Sequence, residues 1–319
     1  MILSIELKQN IVRQKMIEKH KVEIASLLFS NEFPIRFSQH DFLVEHRIEG
    51  KSANVYEVTL LADNIKFAVK VFDGQWQKRE IGVYHDYLGA KELLAPKLIF
   101  ADKSERFLVL EWLDGYSSPK THSQLEFDAL ANWLIAKYSY FKNLNKGKLV
   151  NSIEKISWLI DNPVEVLKKS SSVVFQSELK ELVRKADQIK ENLIEIDRRK
   201  LPMVFDHNDL EIQNIMQNNK GVVRIIDWAN LTKFYGFFDF AQFKKNLFLA
   251  KKENAYLDYQ QRFIEITGIK DFEQLVSLFA IIKEIQLLAY YLENNNMRIR
   301  DQEIAQSFNV INRELQILF

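Results

Sequence analysis

The stretch MVFDHNDLEIQNIM at residues 203–216, followed by VVRIIDWAN at residues 222–230, decides the fold of this chain. Short apolar runs with β-branched residues occur in both pieces, namely MVF, NIM and VVRII, and such runs predict short strands. A few polar residues stand together in this apolar setting and are the candidates for chemistry. They are His207, Asp209, Asn214 and Asp227.

The segment between the two pieces predicts a β-hairpin. Its turn lies at Asn218–Gly221, where Asn, Lys and Gly replace the apolar residues. A hairpin with this turn would place Asn214 and Asp227 side by side and offer two oxygen ligands to a hard divalent cation. Asp209 would lie beside them, where it can accept a proton or orient a hydroxyl nucleophile.

The spacing of these residues is typical of phosphoryl transfer. H-N-D-L-E-I-Q-N, from His207 to Asn214, matches the kinase catalytic-loop pattern H-x-D-x-x-x-x-N, which a metal-binding Asp follows. Phosphoryl transfer needs a metal to neutralise phosphate oxygens and a carboxylate to hold the acceptor in line. Each half of the pattern arises easily alone, since an Asp after a strand is often only an N-cap. Together they predict a catalytic loop with Asp209 and His207, and a metal site with Asn214 and Asp227.

The N-terminal part supplies the second half of such a site. The strand pattern FAVKVF carries Lys70 in an apolar run, and a lysine at a buried position is costly unless it is paired. Glu80 follows ten residues later on the next predicted helix. A kinase needs a strand lysine for the α- and β-phosphates and a helix glutamate that holds it. We therefore predict that Lys70 and Glu80 form this pair.

Two further segments predict nucleotide contacts. IEGKSANVYEV contains one glycine, so a tight turn with Gly50, Ser52 and Asn54 replaces the usual glycine-rich loop over the phosphates. FLVLEWLDG at residues 107–115 resembles a connection between two lobes. Backbone groups from Glu111 to Leu113 are expected to bind the edge of the adenine.

The order of elements predicts an α+β, bilobal, protein-kinase-like fold. We expect a helical extension at residues 1–40, a β-rich nucleotide lobe at 41–114 and a mostly helical lobe at 115–319 that holds the catalytic loop and the substrate site. Apolar periodicity predicts the helices. They span residues 5–30, 76–91, 122–144, 151–170, 176–199, 239–266, 271–295 and 301–318.

Composition excludes several classes of site. The chain has 319 residues, a net charge of +1 and no cysteine, so disulfides, thiolate metal sites and a cysteine nucleophile are excluded. The balanced charge gives no general attraction to nucleic acid or to an anionic membrane. The N-terminus has no uninterrupted apolar segment, as a signal peptide or membrane span would have. We expect a cytoplasmic monomer or homodimer that binds neither nucleic acid nor membrane.

These residues together resemble the aminoglycoside phosphotransferase and choline kinase family, which has a kinase-like fold. The resemblance covers about residues 45–245 and rests on A-V-K, R-E, H-N-D-L-E-I-Q-N, I-I-D-W and Y-G-F-F-D-F-A. It implies that Asp209 is the catalytic base, that Asn214 and Asp227 hold Mg²⁺, and that ATP or GTP is the co-substrate. Asp239 would be a buried structural carboxylate.

Three departures from the family pattern occur near the catalytic loop. Asn208 replaces the usual glycine, Glu211 replaces the usual histidine, and Tyr235-Gly236-Phe237 replaces the usual G-D-P. None removes a group that the chemistry requires, but they weaken any inference about the acceptor.

The acceptor remains open among aminoglycosides, amino alcohols, sugars and similar small metabolites. The helix pattern IIKEIQLLAYYLENNN carries acidic and aromatic residues that can hold a cation by charge and cation–π contacts, or can equally be ordinary helix surface and core. These residues are Glu284, Tyr290, Tyr291 and Glu293. A non-catalytic nucleotide-binding regulator is an alternative function, and a protein kinase is a third, disfavoured by the short segment after Asp227.

Overall fold

The computed structural model describes residues 2–35, 42–49, 53–73, 78–89, 93–144, 157–169, 175–199, 201–293 and 297–319. The chain forms two compact units. The first comprises residues 1–117 and 216–230, and the second comprises residues 118–215 and 231–319. The catalytic-loop aspartate therefore belongs to the second unit and the predicted metal-binding Asp227 to the first. The predicted division at residues 40 and 114 remains a prediction.

A five-stranded antiparallel sheet forms the centre of the described part of the first unit, in the strand order β1-β2-β3-β5-β4. Its strands are β1 (Phe42–Glu49), β2 (Asn54–Leu60), β3 (Ile65–Val71), β4 (Leu98–Ala101) and β5 (Phe107–Glu111). The helices are α1 (Ile2–Leu28) and α2 (Lys78–Val83), and α2 continues into a π-helical turn at Tyr84–Leu88. The three strand patterns between residues 41 and 72 are thus confirmed as β1, β2 and β3.

Helix α1 covers one face of this sheet. Alternate residues of β3, namely Phe67, Val69 and Val71, are buried in one apolar cluster with residues of α1 and β2. Successive side chains of a strand point to opposite faces, so Lys70 lies on the face that α1 does not cover. The apolar packing of the N-terminal helix thus leaves Lys70 on the face where a polar site can form.

Residues 216–230 join the first unit through a small three-stranded sheet in the order β6-β8-β9. Its strands are β6 (Tyr116–Ser117), β8 (Ile215–Asn218) and β9 (Val223–Ile225). The predicted turn is present: the Asn218 side chain accepts hydrogen bonds from the backbone N–H groups of Lys220 and Val222, each at 3.0 Å. Gly221 has φ +70°, which a glycine adopts without strain.

The described part of the second unit is mostly helical, with a two-stranded sheet of β7 (Val204–Asp206) and β10 (Thr232–Phe234). Its helices are α3 (Phe127–Lys142), α4 (Asn162–Lys169), α5 (Gln176–Arg198), α6 (Phe237–Leu249), α7 (Tyr256–Thr267), α8 (Phe272–Glu293) and α9 (Met297–Leu318). The predicted helix at residues 151–170 begins outside the described residues, and only its C-terminal part is described, as a π-helical turn and α4.

The prediction of one helix over residues 239–266 was wrong. The chain leaves the helical conformation after Leu249, and Lys251 has φ +58°, which no α-helix allows. Helix α7 then begins at Tyr256. The sequence does not reveal this break, because both helices bury apolar faces in the same unit and the apolar periodicity continues across it.

Helix α8 is a core helix of the second unit. By length and apolar composition it meets the requirement for a membrane span, but 67% of its most apolar window is buried inside the protein. It packs against the neighbouring helices through residues such as Phe279, Ile282 and Ile285, all buried. The interior of the unit accounts for its apolarity.

Candidate active site

Lys70 lies between two carboxylates of the first unit. Its ammonium nitrogen is 2.5 Å from Glu80 Oε2 and 3.4 Å from Asp227 Oδ1. The second oxygen of Glu80 accepts a hydrogen bond from the backbone N–H of Trp228 at 3.2 Å, so Glu80 also holds the segment that carries Asp227. The predicted Lys70–Glu80 pair is confirmed as an ion pair, and its role in nucleotide binding remains a prediction.

Burial and charge act in opposite directions on this group. Burial lowers the pKa of Lys70, but the carboxylates of Glu80 and Asp227 outweigh it and hold that pKa above its usual value. Burial raises the pKa of Glu80, and the Lys70 ammonium opposes this rise. Lys70 is therefore a fixed cation at neutral pH, as a ligand of phosphate oxygens must be.

Asp227 follows β9 with its backbone in the left-handed region, at φ +64°. Asp and Asn tolerate this conformation better than other non-glycine residues, and strained backbone of this kind is concentrated at functional sites. The side chain is 32% exposed, and its only hydrogen bond or ion pair among the described residues is the one with Lys70. Its second oxygen is therefore available to a ligand.

The catalytic-loop residues are held together in the second unit. The Asn214 side-chain amide donates hydrogen bonds to the Asp209 backbone carbonyl at 2.9 Å and to Asp209 Oδ2 at 3.1 Å. Because its NH₂ group makes both bonds, its Oδ1 carries none among the described residues and is open to a cation. Asn214 in the second unit and Asp227 in the first each offer an oxygen of the type that Mg²⁺ prefers as a ligand.

The backbone of the catalytic loop is held by Asp239, which is fully buried. The backbone N–H groups of His207 and Asn208 donate to its two oxygens at 2.7 and 3.0 Å. Asn208 has φ +62°, a conformation that favours glycine and that Asn tolerates better than most other residues. The predicted role of Asp239 as a buried structural carboxylate is confirmed.

A second buried carboxylate, Asp206, shares one cation with Asp239. Lys137 Nζ lies 2.5 Å from Asp239 Oδ2 and 3.8 Å from Asp206 Oδ1, and none of the three side chains is exposed. Asp206 accepts hydrogen bonds from the backbone N–H groups of Gly236 and Asp239, both at 3.1 Å. Gly236 has φ +81°, and a Cβ there would lie 3.1 Å from Val204 Cβ, so the conformation and the packing both require glycine.

One lysine neutralises only one of these two carboxylates. Burial would raise the pKa of Asp239, but Lys137, His207 and their hydrogen bonds lower it below its usual value. Burial, opposed by Lys137 and assisted by the Asp239 charge, raises the pKa of Asp206 to about 7. Below about pH 7 the proton of this group therefore resides on Asp206.

The titration of Asp206 predicts a pH-dependent stability. Between pH 4 and pH 7 the folded state holds a proton on Asp206 that the unfolded chain has released, so the free energy of unfolding falls as the pH rises through this window. We expect a fall of about 2–4 kcal/mol that the Asp206→Asn variant lacks, because its amide cannot ionise. Urea unfolding of both proteins at pH 5 and pH 8 measures the difference. Equal changes in both would contradict the assignment.

The other predicted nucleotide residues occupy varied positions. Leu113 has a backbone N–H with no partner among the described residues, while its carbonyl accepts the N–H of Tyr116 at 3.2 Å. Glu111 ends β5, and its N–H is already donated to the Lys97 carbonyl at 2.9 Å. Asn54 is buried at the start of β2 and donates to Asp73 at 3.4 Å. Gly50 and Ser52 lie outside the described residues.

Sequence reasoning did not predict the buried positions of Lys137 and Lys245 or the half-buried position of Lys283. Lys137 was detectable, because it interrupts the apolar face of α3. Lys245 on α6 forms an ion pair of 2.7 Å with Glu284, and Lys283 on α8 donates to Asn208. The predicted cation-binding role of Glu284 must therefore be reconsidered, since a lysine already neutralises it. Tyr290 and Glu293 are exposed.

Solved structures of two related groups of enzymes have this fold. Choline kinase from Cryptosporidium parvum Iowa II has a TM-score of 0.64 at 14% identity, with coverage of 93% of this chain and 96% of that chain. Choline kinase LicA from Streptococcus pneumoniae has a TM-score of 0.57 at 17% identity, covering 95% and 99%. A thermostable mutant of the aminoglycoside phosphotransferase APH(4)-Ia has a TM-score of 0.60 at 13% identity, covering 86% and 94%. The predicted α+β, kinase-like fold is confirmed.

The sequence itself assigns the family. No curated protein is similar to the chain by sequence comparison. The family model for choline/ethanolamine kinase, however, matches residues 115–310, which include the catalytic loop, Asp227 and Asp239. The match spans more than half of the chain, and the predicted resemblance is confirmed. This protein belongs to the choline/ethanolamine kinase family of small-molecule kinases.

Proposed function

We propose that this protein transfers the γ-phosphoryl group of ATP or GTP to a hydroxyl of an amino alcohol, aminoglycoside, sugar or similar small metabolite. The observation that carries the proposal is the position of Lys70 between Glu80 and Asp227, at 2.5 and 3.4 Å. A strand lysine fixed in this way is the phosphate-positioning group that phosphoryl transfer requires. A protein of this family that only bound nucleotide would not need the additional catalytic-loop aspartate.

Each residue has a defined part in this chemistry. Asp209 orients the acceptor hydroxyl and accepts its proton, while His207 and Asn208 hold the loop on Asp239. Asn214 and Asp227 would hold Mg²⁺, which neutralises the phosphate oxygens when bound. Lys70 fixes the α- and β-phosphates so that the acceptor oxygen and the leaving oxygen stay in line.

Known relatives support the nucleotide as co-substrate. LicA has been solved in complex with AMP, and the aminoglycoside phosphotransferase APH(2'')-Ib with ADP. In this chain the N–H of Leu113 has no partner within the described ranges, and we propose it as the backbone donor to the adenine edge. We further propose that the protein acts in the cytoplasm, as a monomer or homodimer.

The Lys70→Met variant tests the proposal. We expect kcat/KM for Mg·ATP to fall by about 100- to 1000-fold, because a hydrophobic side chain of similar length cannot bind phosphate and leaves Glu80 and Asp227 without their cation. The assay measures ADP release with a panel of alcohols and confirms the phosphorylated product by mass spectrometry.

Lys66 provides the matched control, because it lies on the same strand and pairs with Glu57 at 2.9 Å. Lys66→Met should retain turnover within about threefold, as expected for a partly exposed ion pair. Product formation by Lys70→Met at the wild-type rate would refute the proposal. A chain that binds Mg·ATP but phosphorylates no alcohol would favour the regulator.

A further inference from the structure

Charged side chains surround the catalytic Asp209 within the second unit. Lys245 and Glu284 form a buried ion pair of 2.7 Å, and they lie on α6 and α8. Burial lowers the pKa of Lys245, but Glu284 and Glu211 outweigh it and hold that pKa above its usual value. Lys245 and Glu284 thus neutralise each other, and Lys283 and Glu211 are further charged side chains close to Asp209.

The first remaining charge is Lys283, a half-buried residue of α8. Its ammonium donates to the Asn208 backbone carbonyl at 2.7 Å and to Asn208 Oδ1 at 3.2 Å, both neutral acceptors. Its third N–H has no acceptor in the parts of the chain that the structure describes. Burial lowers the pKa of Lys283, and Asp209 and Glu211 oppose this change without forming an ion pair with it. A cation next to the base thus lacks an anionic partner.

The second remaining charge is Glu211, two residues after Asp209. Within the described ranges its carboxylate makes neither a hydrogen bond nor an ion pair. Burial raises its pKa and the Asp209 charge adds to the rise, while the charges of Lys245 and Lys283 oppose it from a distance without a hydrogen bond. A carboxylate withdrawn from water without a partner is costly, so a donor from a ligand would stabilise it.

Two buried atoms nearby also lack partners among the described residues. They are Glu284 Oε2, on a side chain that is almost fully buried, and His122 Nε2, whose ring lies in the field of Lys245. Natural proteins satisfy most buried polar atoms, and exceptions mark sites where a ligand or water completes the bonding. The region around Asp209 therefore contains unsatisfied hydrogen-bonding groups, as a pocket for a polar substrate would.

We propose that the acceptor is a zwitterionic alcohol, a hydroxy amino acid whose ammonium binds Glu211 and whose carboxylate binds Lys283 while its hydroxyl meets Asp209. This inference rests on the proposed kinase function. In the reaction the hydroxyl oxygen forms a bond to the γ-phosphorus of ATP, and the bond from that phosphorus to the β–γ bridging oxygen breaks. Asp209 takes the hydroxyl proton, and ADP leaves with the bridging oxygen.

The two unpaired charges disfavour acceptors that carry only one of these groups. A simple amino alcohol leaves Lys283 without an anion, and a simple hydroxy acid leaves Glu211 without a donor. A site with buried polar groups rejects a substrate analogue that leaves one of them unpaired much more strongly than a hydrophobic pocket rejects a missing methylene. Lys283 and Glu211 together therefore make the site selective for a zwitterion.

Matched acceptors test this selectivity. One set is L-homoserine, 3-aminopropan-1-ol and 4-hydroxybutanoate, and a shorter set is L-serine, ethanolamine and 3-hydroxypropanoate. With Mg·ATP in excess, we expect kcat/KM for the zwitterion of one set to exceed both partners by about 100-fold or more. In Lys283→Met, the ratio of kcat/KM for the zwitterion to kcat/KM for the amino alcohol should fall about 100-fold. In Glu211→Gln, the ratio of kcat/KM for the zwitterion to kcat/KM for the hydroxy acid should fall similarly. Lys180→Met, at an exposed lysine of α5, is the control.

The outcomes separate this inference from the proposed function. Transfer to an amino alcohol as efficient as transfer to the zwitterion overturns the inference and leaves the kinase function intact. Equal losses for every acceptor in Lys283→Met also overturn it, because they show that Lys283 only positions Asn208. If no acceptor is phosphorylated, binding is measured instead, by calorimetric titration of each acceptor into the protein with a non-hydrolysable ATP analogue and Mg²⁺. Lys283-dependent binding of a zwitterion supports the inference, and absence of binding refutes it.

Discussion

The Asp209→Asn variant is expected to lose about 1000-fold in kcat while its affinity for Mg·ATP stays at the wild-type value. The amide has the size of the carboxylate, but it cannot accept the proton of the acceptor hydroxyl. The bond from the Asn214 amide to the Asp209 backbone carbonyl, at 2.9 Å, does not depend on the side chain and keeps the loop in place. Single-turnover phosphoryl transfer measures the chemical step directly.

An Asp of the same unit with no proposed catalytic role provides the control for this variant. Asp271 is paired with Arg199 at 2.7 Å near the start of α8. Asp271→Asn should change kcat by less than about twofold, because an exposed ion pair contributes little. Wild-type kcat in Asp209→Asn, with the true acceptor, would show that the assigned base is wrong.

The Asp227→Asn variant is expected to bind Mg·ATP about 100-fold more weakly, because it removes the charged oxygen ligand proposed for the metal. Asn is the appropriate replacement, since the backbone at φ +64° would strain most other residues. In the absence of Mg²⁺ the effect should reverse in sign. Asp227 lies 3.4 Å from Lys70 and partly neutralises its charge. Without this carboxylate, Lys70 attracts the phosphates of metal-free ATP more strongly.

Calorimetry with a non-hydrolysable ATP analogue, with Mg²⁺ and with EDTA, separates these two effects. Asp63→Asn is the control, because Asp63 lies exposed in the turn between β2 and β3. Unchanged Mg·ATP affinity in Asp227→Asn would exclude Asp227 as a metal ligand. Equal weakening with and without Mg²⁺ would instead indicate a general loss of structure around Lys70, which thermal unfolding of the variant would reveal.

Local patterns made the catalytic elements predictable. Lys70 on a strand and Glu80 on the next helix are only ten residues apart, so strand alternation and the short sequence distance were enough to predict their pairing. The turn with Asn218 and Gly221 was equally local. The predicted helix over residues 239–266 failed for the same reason, because apolar periodicity shows which faces are buried and not where the backbone turns.

The sequence by itself determined the kinase-like fold, the catalytic-loop pattern from His207 to Asn214 and the family. Only the tertiary structure showed that Lys137 serves both Asp206 and Asp239, that Lys283 lies near Asp209, and that Lys245 pairs with Glu284. The physical reason is sequence distance. Short-range structure follows from backbone geometry and periodicity, whereas a charge pair formed across many tens of residues depends on how helices pack, and a lone lysine in a helix pattern does not reveal its partner.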